Sequence, residues 1–588
     1  MPHWLITLIP IVVSEHLCVG GDHHKWPKPL SLRGGGAETL FLVFPLHQEL
    51  AFVLESILSS SVLPAELQLL ATSLVNLFVF AASPQAEILK ALLWLGGLCV
   101  LFFCQHMLRW EVALARIPSW KFRRSSGGLQ SAKRILNTID HKICAKLSRR
   151  TVADDSTSDS DSSPTTLNRK KKKEERRKRS EEMVVDGEEG GGHLKRRQQH
   201  NTFPIIAEDQ QPVKTTPGGR RKRLMAPDLA SFLSMTSAQA QVRKWMYALY
   251  VYAAVLLIIL GPVRLYVGQR ALHGNEPFGW ALGYLFGNVS WFRFWVMLTN
   301  LEGWIKLPPR SIDDVEVEGK DEELFGWVEH VRQYDMGEAN TRLLISCHCL
   351  LVLLIGMMTM VKLSSFVEVD TRRKVFHGMM VAMFLPTIYI DPTFCALALS
   401  LVLSVFLLLD LFRSSQLPPI SRPLTYFLAP YVDGRDYRGP VIVSHIFLLI
   451  GCSTPLWLTL ADSERRPDGW EAVSRHVSMV SGVICVGMGD AAASLVGRRF
   501  GRVKWFWGGG KTLEGSAAFA LAVFSGLMVA RMWISVGGWQ QLRPWWTAAG
   551  KALIAGGGAS ATEAVLTGCN DNVVVPVVLW LLVKGLDV

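Results

Sequence analysis

Between Gly487 and Ala520 the chain reads GMGDAAASLVGRRFGRVKWFWGGGKTLEGSAAFA, an acid, a basic glycine-rich loop and a second acid set between two apolar segments. Asp490 suits a magnesium ion, which takes one or two carboxylates and completes its shell with phosphate oxygens. If residues 488–499 are helical, Asp490, Ser494 and Gly497 share one narrow polar face. The glycines Gly508, Gly509 and Gly510 free backbone N–H groups to close around an anion such as a triphosphate, and Lys511 adds a point charge. Thr512 then opens a helix, with Glu514 in its first turn, where the helix dipole favours a carboxylate. Arg498, Arg499, Arg502 and Lys504 make the intervening stretch cationic. GGGKT does not complete the soluble phosphate-loop spacing, because Trp505 stands where that pattern requires a glycine.

Two further polar islands interrupt apolar sequence, where a charge is costly and therefore signals function. In TRRKVFHGMMVAMFLP, Arg373 and His377 fall at i, i+4 with Lys374 beside them, a cationic helix start suited to a phosphate. In ATEAVLTGCNDNVVVPVVLWLL, Glu563, Thr567 and Asp571 repeat at i, i+4, i+8 with Asn572 adjacent, which predicts one polar stripe on a single helix.

The elements that must position these groups are membrane helices. The 588 residues are 49% hydrophobic, and apolar stretches near the roughly 20 residues needed to cross hydrocarbon recur along them. Examples are 245–267, 343–361, 393–412, 441–460 and 515–536, with another span ending near Leu298; about a dozen are expected in all. The fold class is therefore all-α, a polytopic transmembrane helical protein. The first residues, MPHWLITLIPIVV, read as a short anchor, and weaker apolar stretches at 40–54 and 67–80 precede a convincing one at 88–108. A short segment near 424–431 is a candidate re-entrant loop.

Residues 117–243 differ in character. DDSTSDSD and RKKKKEERRKR follow one another with almost no apolar periodicity, the composition of a disordered cytoplasmic insert. The chain thus divides into N-terminal transmembrane helices (1–116), this basic insert (117–243) and a transmembrane catalytic region (244–588). The net charge of +12 owes much to the insert, so basic loops held in the cytosol account for it and no nucleic-acid partner is needed. Ten cysteines without a CxxC indicate neither a disulfide framework nor a zinc site.

The residues resemble a known family. Gly489-Asp490, Ala493-Ser494, Gly497, Gly501, Lys511-Thr512 and Glu514-Gly515 are similar to the spaced GD, AS, G and KT.EG elements of the polyprenol kinase family. RRKVFH at 372–377 and EAVLTGCNDNVVVP at 563–576 resemble two more of its motifs, and the resemblance covers residues 245–588. Phosphatidate cytidylyltransferases share several elements but close on HGG..DR, in whose place Asp571-Asn572 stands here. The resemblance implies a multi-pass enzyme of the endoplasmic reticulum membrane that moves the γ-phosphate of CTP to the terminal hydroxyl of a polyprenol such as dolichol. Other lipid-alcohol kinases are the near alternative, and a polytopic transporter is the non-enzymatic one. On that reading Asp490 and Asp571 hold Mg²⁺, and Arg373, Lys374, His377, Ser494, Gly497, Gly508, Gly509, Gly510, Thr512 and Asn572 bind the nucleotide. Lys511 faces the phosphates, and Glu514 or Asp571 accepts the alcohol's proton.

Overall fold

A computed structural model describes residues 72–75, 77, 81, 83–115, 117, 122, 235–308, 326–363, 369–428, 443–461, 463–465, 470–506, 510–539, 544–565 and 571–588. The expected anchor at the N-terminus, the stretch at 40–54, the acidic and basic runs of the insert, Thr567, and Gly508 and Gly509 lie outside them. The side chains of residues 369–373 and 443–445 are also outside the description. Among the described residues extended structure is limited to isolated bridges, and the regular elements are helices.

The helices are α1 (Pro84–Ala115), α2 (Ser237–Arg270), α3 (Pro277–Phe286), α4 (Ser290–Leu298), α5 (residues 327–335), α6 (Glu338–Leu363), α7 (Val369–Ile390), α8 (Pro392–Ser414), α9 (Ser421–Leu428), α10 (Val443–Ala461), α11 (Val477–Phe500), α12 (Leu513–Gly537), α13 (Trp545–Val565) and α14 (Asp571–Leu586). Six of them, α1, α2, α6, α8, α11 and α12, are long and apolar enough to cross a membrane, and residues 374–390 and 446–461 form shorter apolar helices. This is a multi-pass membrane protein. The described residues hold fewer long spans than the dozen expected. One reason is local: the span expected to end near Leu298 is two short helices, because the chain bends between Phe286 and Ser290, with Val289 extended ahead of α4.

Burial separates a centre from a periphery. In α11, 61% of the most apolar window is covered by other helices, against 11% in α6, so α11 is the post around which the bundle is built. Ile484 and Val483 of α11 pack among Phe519, Val523 and Leu527 of α12, Leu449 and Cys452 of α10, Ala555 and Ala559 of α13, and Val575 and Leu579 of α14. A second core joins α1 to α2 through Val100, Cys104, Ala248, Val251 and Val255. Outward positions carry Phe102, Leu249, Leu257, Met358, Leu521 and Leu553, all exposed, as expected of helices facing lipid tails rather than water.

Helices that alternate in direction give the bundle two distinct ends. α7 starts at the end where α11 and α13 finish and α12 and α14 begin. About 33 Å further along, at 1.5 Å per residue over the 22 residues of α7, the chain reaches Asp391 at the other end. There a buried ionic network locks four segments together. Arg332 of α5 donates to Glu329 Oε1 at 2.8 Å, to Asp391 Oδ2 at 3.0 Å, and to Glu471. Arg342 of α6 donates to the same Asp391 oxygen at 3.3 Å, to Glu471 Oε1 at 2.7 Å and to Glu338 Oε2 at 2.9 Å. Arg475 reaches Glu329 Oε2 at 3.4 Å, and the guanidinium of Arg342 lies 3.7 Å from the centre of the Tyr284 ring. Asp391 also caps α8, accepting from Phe394 N at 2.9 Å and from Thr393 Oγ1 at 2.7 Å.

Burial alone would raise the Asp391 carboxyl, but Arg332 and Arg342 together hold it well below the usual carboxylate range. A depressed folded-state value means stability present above the unfolded carboxylate range and lost as pH falls through the folded one. Removing this carboxylate leaves two buried guanidinium groups without it, a change that costs about 3–5 kcal/mol. Asp391→Ala is therefore expected to lower the thermal midpoint in detergent sharply, whereas the exposed Glu302→Gln should shift stability by less than about 0.5 kcal/mol. Equal midpoints for the two variants, read by fluorescence-detected gel filtration after heating, would show that the network does not hold the fold.

Candidate active site

The opposite end of the bundle carries the residues singled out in the sequence. In α11 the backbone widens into a π-helical turn over Ile484–Gly489, and the α-helix resumes at Asp490. Such a turn re-aims the residues that follow it and often marks a functional position. It leaves the carbonyl of Val486 facing α7, where His377 Nδ1 lies 2.9 Å away. A carbonyl oxygen only accepts, so Nδ1 carries the proton, and it lies 3.2 Å from Asp490 Oδ2 as well. Lys374, one turn earlier on α7, donates to the same Asp490 oxygen at 2.6 Å. The expected cationic start of α7 thus closes on the acid of α11. Arg373 is in α7, its side chain outside the described residues.

A second cluster gathers around Lys511. Its ammonium donates to Asp571 Oδ2 at 2.7 Å, to the carbonyl oxygen of Glu563 at 2.7 Å and to Glu563 Oε1 at 3.3 Å. Burial disfavours the charged lysine, yet Asp571 and Glu563 more than offset it, so its pKa rises and the ammonium stays protonated through the physiological range. The two clusters lie close together: a Cβ on Gly451 would meet both the carbonyl of Asn572, the neighbour of Asp571, and Val486, whose own carbonyl lies against His377.

The loop between α11 and α12 is held by short-range bonds. Leu513 N donates to Val503 O at 2.9 Å and Trp505 N to Lys511 O at 3.2 Å, a minimal two-stranded pairing that turns the chain back on itself. Gly510 takes φ +75°, a left-handed conformation that glycine adopts without strain, immediately before the lysine. Thr512 caps α12, its hydroxyl accepting from Gly515 N at 3.2 Å. A Cβ on Gly497 would lie 3.1 Å from that hydroxyl, so the glycine lets α11 and the start of α12 close together.

The other expected site residues have more local partners. Ser494 Oγ accepts from Arg498 Nη2 at 3.0 Å. Asn572 stands beside Asp571 in the first turn of α14. Glu514 is not brought into the cluster: its carboxylate accepts from the backbone N–H groups of Arg502 at 3.0 Å and Val503 at 3.2 Å, and so braces the loop. The single polar stripe expected from Glu563 to Asp571 is also corrected. α13 ends at Val565 and α14 begins at Asp571, so the two acids stand on different helices and meet through Lys511. Glu563 thereby joins the site. Gly568 and Asn570, both turn formers, were the sequence signal for that break.

Among the described residues no group of three or more His, Cys, Asp or Glu side chains forms a metal cage. The arrangement suits a magnesium ion instead, because that ion needs only one or two carboxylates when phosphate oxygens supply the rest. Chemically, the end of the bundle offers cations for phosphate oxygens, carboxylates for a divalent ion or a proton, and access from the ends of membrane helices.

Comparison with known proteins points the same way. Over 222 residues the chain is 36% identical to Dolichol kinase sec59 of Schizosaccharomyces pombe, a match covering 37% of this chain and 39% of that protein. It is 33% identical over 219 residues to Dolichol kinase EVAN of Arabidopsis thaliana, covering 37% of this chain and 36% of the relative. The dolichol kinase of Homo sapiens is 36% identical over 144 residues, covering 24% and 26%. The matched part thus spans less than two fifths of these relatives' length. No family model and no solved structure matches the chain. Over about a third of its length, the chain is similar to proteins that are dolichol kinases.

Proposed function

We propose that this protein transfers the γ-phosphoryl group of CTP to the terminal hydroxyl of dolichol, producing dolichyl phosphate at the endoplasmic reticulum membrane. One observation carries the reading: Lys374 and His377 on Asp490, and Lys511 on Glu563 and Asp571, are brought by five separate segments to one end of a membrane bundle. The similarity to dolichol kinases of fungi, plants and mammals supports the choice of acceptor.

Phosphoryl transfer asks a protein mainly for alignment and neutralisation of charge. Here the Gly510 backbone and the Lys511 ammonium would receive the β and γ phosphates, with Lys374 and His377 as a second cationic wall. Asp490 and Asp571 would hold Mg²⁺, which supplies further neutralisation of the phosphate oxygens when bound. The dolichol oxygen attacks the γ phosphorus as the bond to the bridging oxygen of CDP breaks. The hydroxyl proton passes to a carboxylate beside Lys511, for which Asp571 is the assigned acceptor. Glu514, committed to the loop backbone, serves the site by shaping it. The polyisoprenoid tail would lie in lipid between the outer helices, where no length measurement is required.

Purified protein in detergent is expected to move label from γ-labelled CTP to a long-chain polyprenol. Lys511→Ala and Asp490→Asn should each lower that rate by about 10²-fold or more while leaving the amount of membrane-inserted protein unchanged. Label carried from the α position into a liponucleotide would establish a cytidylyltransferase instead. Chelation of divalent ions should abolish transfer, and added Mg²⁺ should restore it. Glu514→Gln keeps an acceptor oxygen for the loop, so its rate should stay within about tenfold of the parent, a change of under ~1.4 kcal/mol in the barrier. A loss as deep as that of Lys511→Ala would return Glu514 to the chemistry.

A further inference from the structure

A cavity of about 380 Å³ lies at the Asp391 end of the bundle, within the roughly 300–1,000 Å³ of sites that take small ligands. Pro84 at the start of α1, Glu338 and Arg342 at the start of α6, and Trp470 and Glu471 ahead of α11 contribute to its walls. The remaining wall is α3 with the segment at 304–308 laid against it. Gly279 and Gly283, one turn apart on α3, permit that approach, because a Cβ on either would collide with the carbonyl of Trp304 or of Lys306. Glu276 caps α3 by accepting from Gly279 N at 2.6 Å, and it pairs with Arg264 of α2 at 2.8 Å, so the wall is tied to its neighbour.

One side of the cavity is aromatic. Trp280 stacks on Tyr284 with ring centres 4.5 Å apart and planes 18° apart, and Trp470 packs against the two at 4.4 and 5.6 Å. Tyr284 and Trp470 are buried, whereas Trp280 is only half-buried. Around the rings stand Glu338 and Glu471, Arg342 and Lys306, with the Asn275 amide and the His273 imidazole beside them. Carboxylates and fixed cations are equal in number, so the lining carries little net charge. The rings touch one another, leaving no gap between them for a quaternary ammonium, and Arg342 already occupies the cation seat on Tyr284. An anion would meet Glu338 and Glu471. A neutral molecule with an apolar face and hydroxyls at its edge satisfies both kinds of wall. A pyranose is such a molecule: its C–H bonds pack on an aromatic ring, and each hydroxyl both donates and accepts, as guanidinium, amide and carboxylate partners require.

We propose that this cavity is a saccharide site, binding a hexopyranose with its apolar face on Trp280 and its hydroxyls on Glu338, Arg342 and Asn275. It belongs to the side of the membrane away from the cytosol. α1 starts at this end and finishes at the Asp490 end, where α2 begins. The residues flanking those two helix ends include Arg116, Lys121, Arg123, Arg124 and the run Arg220 to Arg223, a basic bias that assigns the Asp490 end to the cytosol. The ligand is then a sugar of the opposite compartment, free or carried at the head of a glycolipid in that leaflet. Glu338 and Arg342 also belong to the ionic network around Asp391, so a bound sugar adds hydrogen bonds to the joint between helices.

The test uses the full-length protein in phosphatidylcholine nanodiscs, because maltoside detergents present a sugar of their own. Saturation-transfer NMR with the methyl glycosides of glucose, mannose and N-acetylglucosamine should show saturable transfer to the ring C–H protons of at least one, and that glycoside should raise the thermal midpoint. Trp280→Ala should raise its half-saturation concentration about tenfold or more. Trp280→Phe keeps a ring on Tyr284 and Glu338→Gln keeps the side chain's volume, so each should weaken binding severalfold while the midpoint without sugar is unchanged. A glycolipid bearing the same sugar, placed in the disc, should abolish the free glycoside's signal if a headgroup is the source and leave it undiminished if the source is soluble. Absence of saturable transfer to all the glycosides overturns the proposal, as does transfer that both Trp280 variants leave at full strength. A choline signal lost in Trp280→Phe, with none from the glycosides, overturns it in favour of a cation site. Binding is read without nucleotide, so the result is independent of the kinase assignment.

Discussion

Lys511 is the cation that ties two helices together in the candidate site. An ammonium taken out of water is tolerated only when carboxylates repay the loss of hydration. Glu563 and Asp571 do so, at the price of standing on two different helices that must both finish or start beside the loop. The same rule governs Asp490, which α11 delivers to the interior and which Lys374 and His377 of α7 receive. The protein's own cations and anions satisfy one another. On the proposed function they are also the groups that a magnesium triphosphate would engage, so phosphate contacts would replace the pairs seen here.

The two ends of the bundle use charge in opposite ways. Around Asp391, Glu471, Arg332 and Arg342 the ion pairs are almost wholly buried and bonded several times over, a joint between helices. Around Lys511 and Asp571 the side chains keep about a quarter and a third of their surface, at 24% and 33%. Partial exposure is what a site needs if its partners are to be exchanged for a ligand. Rigidity at one end and exchangeable pairs at the other are joined by α7, which carries Lys374 and His377 at its start and leads directly into Asp391.

Much of the site was legible because its chemistry is expensive in a membrane. Asp490, Lys374, His377, Lys511 and Asp571 stood out as charges in or beside apolar runs; the structure pairs Lys374 and His377 with Asp490, and Lys511 with Asp571. Glu514 looked equivalent to them by residue type and by its place at a helix start. Its carboxylate is spent on two backbone N–H groups, and that choice depends on how the loop folds back, which spacing does not encode. Glu563 was visible as an acid, but its i, i+8 spacing from Asp571 suggested one continuous stripe, and the turn formers Gly568 and Asn570 between them were the signal that the two stand on separate helices. The ionic network around Asp391 escaped the sequence reading. Glu329 with Arg332 and Glu338 with Arg342 carry helical ion-pair spacing, yet their burial is decided by segments more than a hundred residues away. Among the described residues, the apolar stretch near Asn288 bends into two short helices where a single span was expected.

The proposed function requires that a magnesium triphosphate bind where α7, α11, α12, α13 and α14 converge. A cryo-electron microscopy map of the full-length protein with Mg²⁺ and a non-hydrolysable CTP analogue tests it most directly. The account predicts phosphate density between Gly510-Lys511 and Asp490, with Lys511 drawn away from Glu563. Nucleotide density at the other end of the bundle, beside Arg342 and Glu471, or a Lys511 still bridging Glu563 and Asp571 with nucleotide bound elsewhere, would contradict it.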